Sequence, residues 1–490
     1  MGNKEDHIKH VVLLMLENHS FDEMLGCIPG VDGINPGEPK RFNTDAKGKK
    51  YYQDVKQSYF MKLDPKHEAI NVRTQIANGN SGFIQDFVAN YPSSTTEDRN
   101  NIMGYYPLGF LPALHALAQD FTICDNWFSS LPGPTWPNRF FALSGTTSGY
   151  VKMPEGMNLH LETIIAQTQP TIFDRLTEAE KSWKIFYYDF PNSLIFANQR
   201  KAENLRNYHP IDEFFQTYAA CEKEAEFPDF IFIEPKYFGI DQNDDHPPHN
   251  IMKSEKLIAD VYNAIRSNDE LWKTTLLIVL FDEHGGFYDH VTPPPAIPPD
   301  DKKIEYDFSQ LGVRVPAILI SPWVERKIDS TVYDHTSILK YLTEKWNLGS
   351  LGERTRNAKS IGDAITLTQR DEKDTVASIR VPLSELVKTD GNVTLKPSPH
   401  EHAIHVLAGF IKAEAIKEES PVAANVVEFV SFWANISVEL KAWGGRLLQG
   451  IGRRIMNSGV KAEQEKINKI TSVADSIIAS GKQVQVGVQK

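Results

Sequence analysis

The stretch that most constrains this chain is TTLLIVL, Thr274 to Leu280, which runs straight into FDEHGGFYDH, Phe281 to His290. A continuous apolar run rich in β-branched residues, ended by acids and a glycine pair, is the trace of a central parallel strand covered on both faces. Its carboxyl end then carries Asp282, Glu283 and His284. Ligands of open α/β sheets bind at that end, where loops and helix starts converge. Two adjacent carboxylates there repel each other unless a cation or a proton lies between them. A bound divalent metal is the simplest remedy; a solvated acidic turn is the alternative from this stretch alone.

A second apolar run, Val11 to Leu16, breaks in the same way into Glu17-Asn18-His19-Ser20-Phe21-Asp22. Glu17 and Asn18 carry carboxylate and amide oxygens, which hard divalent cations accept. Asn18 or Ser20 also suits the cap of a short helix, Ser20 to Leu25. Residues 26 to 109 are rich in Gly, Pro, Asn and Asp and read as a long excursion over the sheet edge. It includes Asp64-Pro65-Lys66-His67-Glu68, where His67 precedes a helix expected over Glu68 to Asn78. Leu111 to Ala118 reads as a helix and Phe121 to Asp125 as a strand. Then SLPGPTWPNRFFALSG, Ser130 to Gly145, sets a tight turn with Pro132, Gly133 and Pro134, and Thr135 stands where a helix begins. A hydroxyl there sees unsatisfied backbone N–H groups and the positive end of the helix dipole, which favours an alkoxide or a phosphate. A plain N-cap is the competing role for Thr135.

Trp183 to Tyr188, Phe227 to Ile233 and Val315 to Ser321 read as further strands, with helices over Ser254 to Ser267 and Thr336 to Trp346. Strands alternating with helices imply an α/β fold with a doubly wound, mostly parallel sheet between helices. At 490 residues, 41% hydrophobic and 24% charged, the chain has ample material for one large domain plus an appendage. Its 52 Lys and Arg against 64 Asp and Glu, a net charge of -12, argue against a nucleic-acid binder. Cys27, Cys124 and Cys221 read as free buried thiols. The start, MGNKEDHIKHVVLLMLEN, has no apolar secretory core, and Asp6 stands where myristoylation wants Ser or Thr. No stretch is long and apolar enough to span a bilayer. The expectation is therefore a chain that is cytoplasmic as synthesised.

Taken in order, ENHSFDEMLG, DPKHE, LPGPTWPNRFFALSGT, DDHPPHN, FDEHGGFYDHVTPP and YDHTSILKYLTEKW resemble the bacterial phosphoesterase family of acid phosphatases and non-haemolytic or haemolytic phospholipases C. The likeness covers roughly Val11 to Leu348. That family belongs to the alkaline-phosphatase-like superfamily, so the resemblance implies one metal beside a hydroxyl nucleophile. It implies Glu17, Asn18, Asp282 and Glu283 as metal ligands and Thr135 as nucleophile touching the metal. His67 and His246 match histidines that contact the phosphoryl group or protonate the leaving group. Threonine at the nucleophile resembles the phospholipase C branch more than the acid phosphatases.

Elementary chemistry agrees with that implication. Phosphodiester transfer needs an in-line nucleophile, positive charge on the phosphoryl oxygens and an acid for the leaving alcohol. His246 and His284 are the candidate acids. Arg139, one turn beyond Thr135, either reaches a phosphate oxygen or pairs with a nearby carboxylate. His249, His290 and His335 are read as structural. The oxygen-rich ligand set leans toward manganese, magnesium or calcium, while zinc is common in the wider superfamily.

Beyond Gly362 the character changes, so residues 1–362 are expected to form the catalytic domain and 363–490 a C-terminal region of short strands (SIRVPL, NVTLK) followed by amphipathic helices. Val422 to Trp443 carries an apolar face too wide for a solvent helix, and it implies packing on the catalytic domain, homo-oligomerisation or peripheral membrane contact. His400-Glu401-His402 lacks the spacing of a zinc-protease helix, because Ile404 stands at the required position. The expected function is a phospholipase C acting on phosphatidylcholine-like lipids through a phosphothreonine. The alternatives are a broad-specificity acid phosphatase and a catalytically inactive docking protein. A lipid substrate adds the expectation of secretion by a signal-independent route.

Overall fold

The computed structural model describes residues 7–35, 37–56, 58–153, 164, 166–218, 221, 223–238, 241–366, 368–386 and 398–418. The strands are β1 (His10–Leu16), β2 (Phe42–Thr44), β3 (Lys50–Tyr52), β4 (Thr122–Cys124), β5 (Trp183–Tyr187), β6 (Tyr208–Pro210), β7 (Phe230–Glu234), β8 (Thr275–Phe281), β9 (Ala317–Ile320) and β10 (Lys327–Asp329). Eight of them form one sheet in the order β10-β4-β9-β8-β1-β7-β5-β6, while β2 and β3 make a separate antiparallel hairpin. Every residue of β1 and of β8 is buried, which is why both read as unbroken apolar runs. The two strands pair in parallel at the centre, and β7, β5 and β6 continue in the same sense.

The sheet is α/β, doubly wound and mostly parallel, as expected. The exception is β9, antiparallel to both β8 and β4. Its apolar sequence AILI fits either direction, so strand sense was not legible there. Helices α1 (Phe21–Met24), α2 (Ala69–Asn80), α3 (Phe83–Asn90), α4 (Thr96–Met103), α5 (Pro112–Asp120) and α6 (Thr135–Ser144) follow in the first part of the chain. Ser20 caps α1 by accepting from the Glu23 N–H. All ten residues of α6 are buried. Cys124 is buried as expected, but Cys27 and Cys221 are only partly so, and all three are free thiols.

The chain clusters into two compact units. The first comprises residues 1–152, 169–191 and 207–395 and contains the sheet. The second comprises residues 153–168, 192–206 and 396–490. A cut after residue 362 therefore falls inside the first unit. Asn263, in the helix Ile251–Arg266, exchanges two hydrogen bonds of 2.8 Å with the backbone of Ile379, and Asp120 accepts from the Val376 N–H at 2.6 Å. Those bonds tie Val376 and Ile379 to side chains in place of a ladder partner, and the strand expected over SIRVPL does not form; its last residue, Leu383, begins a short helix. In the second unit, the helix Pro399–Glu418 sets His400 Nε2 3.0 Å from Asn192 Oδ1. NVTLK, Val422 to Trp443 and the chain to residue 490 lie outside the described residues. Among the described residues no helix is long and apolar enough to cross a membrane.

One buried ionic cluster ties the first unit together. Arg314, fully buried, donates from Nε to Asp289 Oδ1 at 2.9 Å and from Nη2 to Asp22 Oδ1 at 3.0 Å. Its Nη1 donates to the carbonyls of Asp125 and Asp32. His290 bridges Asp22 and Asp32 at 2.9 Å each. The guanidinium thereby joins α1, the chain after β8, the start of β4's exit loop and the approach to β9. Arg314→Leu leaves two buried carboxylates without their cation, and the expected loss of unfolding free energy in urea is about 3–5 kcal/mol. A loss below about 1 kcal/mol would contradict this role.

Candidate active site

The register of β1 against β8 builds the site. Leu16 pairs with Phe281, so the next residues, Glu17-Asn18 and Asp282-Glu283, leave the sheet side by side at its carboxyl edge. All four are buried. The Asp282 N–H donates to the Leu16 carbonyl at 3.0 Å, which carries the pairing one residue past the strand. Asp282 Oδ1 accepts from the N–H groups of Asn18 (3.3 Å) and Glu283 (2.7 Å). Asn18 sits at φ +61°, a left-handed conformation that asparagine tolerates better than most residues. Opposite it, a Cβ on Gly285 would lie 2.1 Å from the Asn18 carbonyl oxygen, so this close backbone approach requires glycine.

Helix α6 enters from a loop pinned by Asn138, whose side chain accepts from the Leu131 N–H and donates to the carbonyls of Gly133 and Pro134. Pro134 occupies the cap position and Thr135 is the first helical residue, so the Thr135 hydroxyl does not serve as the N-cap. Arg139 lies four residues on, on the same helix face, where Cβ atoms are about 5–6 Å apart. Its Nε donates to Asp282 Oδ2 at 2.9 Å, its Nη2 to Glu17 Oε1 at 3.3 Å and its Nη1 to the Tyr237 hydroxyl at 3.1 Å. Of the two roles open to Arg139, the structure gives the carboxylate pair.

One guanidinium does not balance this charge. Burial raises the Asp282 carboxyl to about 7 although Arg139 pulls it down, and burial together with Asp282 holds Glu283 well above the usual carboxylate range. Two buried oxygens here, Asn18 Oδ1 and Glu283 Oε1, have no hydrogen-bond partner. An under-neutralised, all-oxygen donor set with unsatisfied oxygens suits a hard divalent cation. Convergence is incomplete, however. Among the described residues the group of His, Asp or Glu ligand atoms lying within 4.8 Å of one another is Asp22, Asp289 and His290, which could coordinate a metal ion. Arg314 already supplies a cation to that group, whereas Arg139 spreads Glu17 and Asp282 around its own fork.

The histidines fall into different protonation environments. His67 donates from Nδ1 to the Pro65 carbonyl at 2.9 Å, leaving Nε2 to accept from Asn18 Nδ2 at 3.3 Å, 3.9 Å from Glu283 Oε1. Burial brings it down to about 4, so it is neutral. His246, whose ring lies 5.9 Å from that of His67, donates from Nδ1 to the Pro247 carbonyl at 2.6 Å. Its Nε2 is buried without a hydrogen-bond partner, 3.9 Å from Asp64 Oδ1. Burial opposes its charge, but Asp64, Glu17 and Asp244 outweigh that and raise it above the ordinary histidine value.

His284 is placed differently from the expectation of a proton donor. Gln75 spends its amide N–H groups on the Lys66 carbonyl and Asp86 Oδ2, so its Oε1 accepts from His284 Nε2 at 2.8 Å. The remaining nitrogen, Nδ1, faces Glu283 Oε2 at 3.3 Å, and burial drives the ring down to about 3. His284 is thus a neutral brace with its proton turned toward Gln75. His335 is another: its Nε2 donates to the Asp282 carbonyl at 2.7 Å while Trp127 donates to its Nδ1. His249 pairs with Asp244 at 2.5 Å, in the loop whose Asp244 carbonyl accepts from the Glu17 N–H. Sequence reasoning missed Gln75, Asp64 and Tyr237. Asp64 lies within the DPKHE motif; Gln75 and Tyr237 carry no local signal.

Residues 8–349 match the model of the phosphoesterase family. Non-specific phospholipase C6 of Arabidopsis thaliana is 34% identical over 371 residues, 70% of this chain and 69% of that protein. Phospholipase C A of Mycobacterium tuberculosis is 27% identical over 417 residues, covering 71% of this chain and 76% of its own. A solved structure from Vibrio parahaemolyticus, titled as a protein in the alkaline phosphatase superfamily, shares 10% identity and a TM-score of 0.32 over 73% of this chain and 72% of its own.

The unbalanced carboxylates yield a direct expectation. Titrating a divalent cation into chelator-stripped protein raises the melting temperature, and Glu283→Gln weakens the apparent affinity by about tenfold or more. A melting temperature insensitive to every divalent cation, or an undiminished response in Glu283→Gln, would contradict it.

Proposed function

The chain belongs to the phosphoesterase family, and we propose that within it this protein is a metal-dependent phosphodiester hydrolase of the phospholipase C type, releasing phosphocholine from phosphatidylcholine-like lipids through a phosphothreonine at Thr135. It is a hydrolase of phosphoester bonds by virtue of that family. What supports the finer reading is that Glu17-Asn18 and Asp282-Glu283 leave adjacent strands at one edge of the sheet, and that Arg139, one turn beyond Thr135 on α6, pairs with both Asp282 and Glu17. Relatives named phospholipase C in a plant and a bacterium support the diester over the monoester.

In this reading Glu17, Asn18, Asp282 and Glu283, with Thr135, would hold a divalent cation that supplies positive charge to the Thr135 oxygen and to the phosphoryl group. Thr135 Oγ1, as an alkoxide that has already lost its proton to solvent, attacks phosphorus as the phosphorus–oxygen bond to diacylglycerol breaks, and it is restored as the alkoxide when it leaves in the second step. The departing oxygen takes the proton from His246 Nε2, whose charged form burial opposes and Asp64, Glu17 and Asp244 favour on balance. Backbone N–H groups at the start of α6 face the phosphoryl oxygens. Water then attacks the phosphothreonine, gives its proton to the now neutral His246, and the Thr135 oxygen leaves. Arg139 keeps Asp282 and Glu17 at fixed spacing throughout, and neutral His67 orients the Asn18 amide.

The test compares hydrolysis of phosphatidylcholine and of a phosphate monoester by the wild-type chain, with and without chelator, and by Thr135→Ala. The expected outcome is release of phosphocholine that chelator abolishes, a loss of roughly 10³-fold or more in Thr135→Ala, and slow turnover of the monoester. Faster hydrolysis of the monoester would overturn the lipase reading, and undiminished activity of Thr135→Ala would overturn the nucleophile.

The acid role of His246 fixes a sign. A group raised above its ordinary value stays protonated to higher pH, so kcat/KM, which reports the free enzyme and the first step, falls as pH rises through the raised value. His246→Gln lowers kcat/KM, which reports formation of the phosphothreonine, by about 10²-fold or more for the lipid and much less for a p-nitrophenyl phosphocholine diester, whose leaving group needs no proton. Equal losses on both substrates would contradict a proton donor.

A further inference from the structure

The hairpin of β2 and β3 presents a basic, aromatic surface on a chain of net charge -12. Its alternation is strict. Asn43 and Tyr51 point inward and are buried, while Phe42 and Tyr52, a cross-strand pair with ring centroids 5.6 Å apart, are 42% and 44% exposed. Lys50 lies outward too, its Nζ 4.0 Å above the Phe42 ring. At the tip, Ala46 to Lys50 are all exposed, so Lys47, Lys49 and Lys50 place three positive charges within four residues of a chain whose net charge is -12. Three nearby acids are already engaged. Asp45 turns inward to accept from the Lys47 and Lys49 N–H groups and from the Tyr51 hydroxyl. Asp54 pairs with Lys40 at 2.5 Å, and Glu38 lies 3.9 Å from Arg41. Lys49 Nζ also donates to Thr96 Oγ1.

The hairpin also stands on the edge of the sheet where the candidate active site lies. Tyr51 packs in one core cluster with Phe287 and Tyr288, just beyond His284. Gln53, one residue past β3, donates to Asp22 Oδ2 in the helix that follows β1. Exposed rings that carry a polar end or a cation suit a membrane–water interface, and lysines gain from anionic headgroups by a screened Coulomb attraction.

The geometry points to the β2–β3 hairpin as a docking element that seats the active-site edge on the surface of an anionic phospholipid bilayer. This rests on the lipid-hydrolase reading for its purpose but not for its measurement. Both binding modes act together: Phe42 and Tyr52 enter the headgroup region, and Lys47, Lys49 and Lys50 face the anionic charge.

The test is sedimentation of the full chain with vesicles of phosphatidylcholine alone and of phosphatidylcholine with phosphatidylglycerol, at low and high salt. Lys47→Glu/Lys49→Glu changes only the turn and leaves both strands and both rings intact; Phe42→Ser/Tyr52→Ser removes the rings. The expected result is salt-sensitive binding that favours the anionic vesicles and falls by about tenfold or more in the turn variant. Hydrolysis of a water-soluble phosphocholine diester stays at the parental rate in both variants, which also reports that they fold. No preference of the parent for anionic vesicles, or parental binding by either variant, overturns the inference. Absence of soluble-diester hydrolysis by the parent instead counts against the proposed function and leaves the binding result to stand alone.

Discussion

The parallel pairing of β1 with β8 is the constraint on which the site depends. Both strands are buried along their whole length, so neither has the in–out alternation that ordinarily fixes register. The ends fix it instead. The N–H groups of Lys9 and His10 reach the Thr274 carbonyl at one end, and Asp282 N–H reaches Leu16 at the other. A slip of one residue would move Asp282 away from Glu17 and part the two pairs of oxygen donors. The backbone contact between Asn18 and Gly285 secures the same register from above the sheet.

Two buried arginines then organise the carboxylates, with different results. Around Arg314, Asp22 is held below the ordinary carboxylate range and His290 above its own, while Asp289 is raised by burial and by Asp22. Two acids there face a guanidinium and a readily protonated imidazole. Around Arg139 the balance is poorer, because Glu17, Asp282 and Glu234 share a single guanidinium and Glu283 adds its charge beside Asp282; His67, His284 and His335 are held neutral, and His246 is raised by Asp64, Glu17 and Asp244 together. Spacing favours the Asp22 group as a cation site, and electrostatics favours the other. Electrostatics is the better guide, since a site that already contains its counter-ion gains little from a second one.

The sequence disclosed the features that depend on a local pattern. Unbroken apolar runs marked β1 and β8, and the acids that end them marked the carboxyl edge. PGPTWP placed the start of α6 at Thr135, and Pro134 rather than Thr135 proved to hold the cap, leaving the hydroxyl for other work. What depended on long-range contact was hidden. The reversed sense of β9, the choice of Arg139 between phosphate and carboxylate, and the locking of His284 by Gln75 some 209 residues away all require the folded chain. SIRVPL looked like a strand because its composition is strand-like, but it finds hydrogen bonds to Asn263 in place of a ladder.

The central claim is that oxygens from the ends of β1 and β8 gather around one cation beside the Thr135 hydroxyl. Anomalous diffraction from crystals grown with manganese tests it most directly. The account predicts a peak bonded to Glu17, Asn18, Asp282 and Glu283, with Thr135 Oγ1 at coordinating distance. A peak only at Asp22, Asp289 and His290, or a Thr135 hydroxyl turned away from the metal, would contradict it.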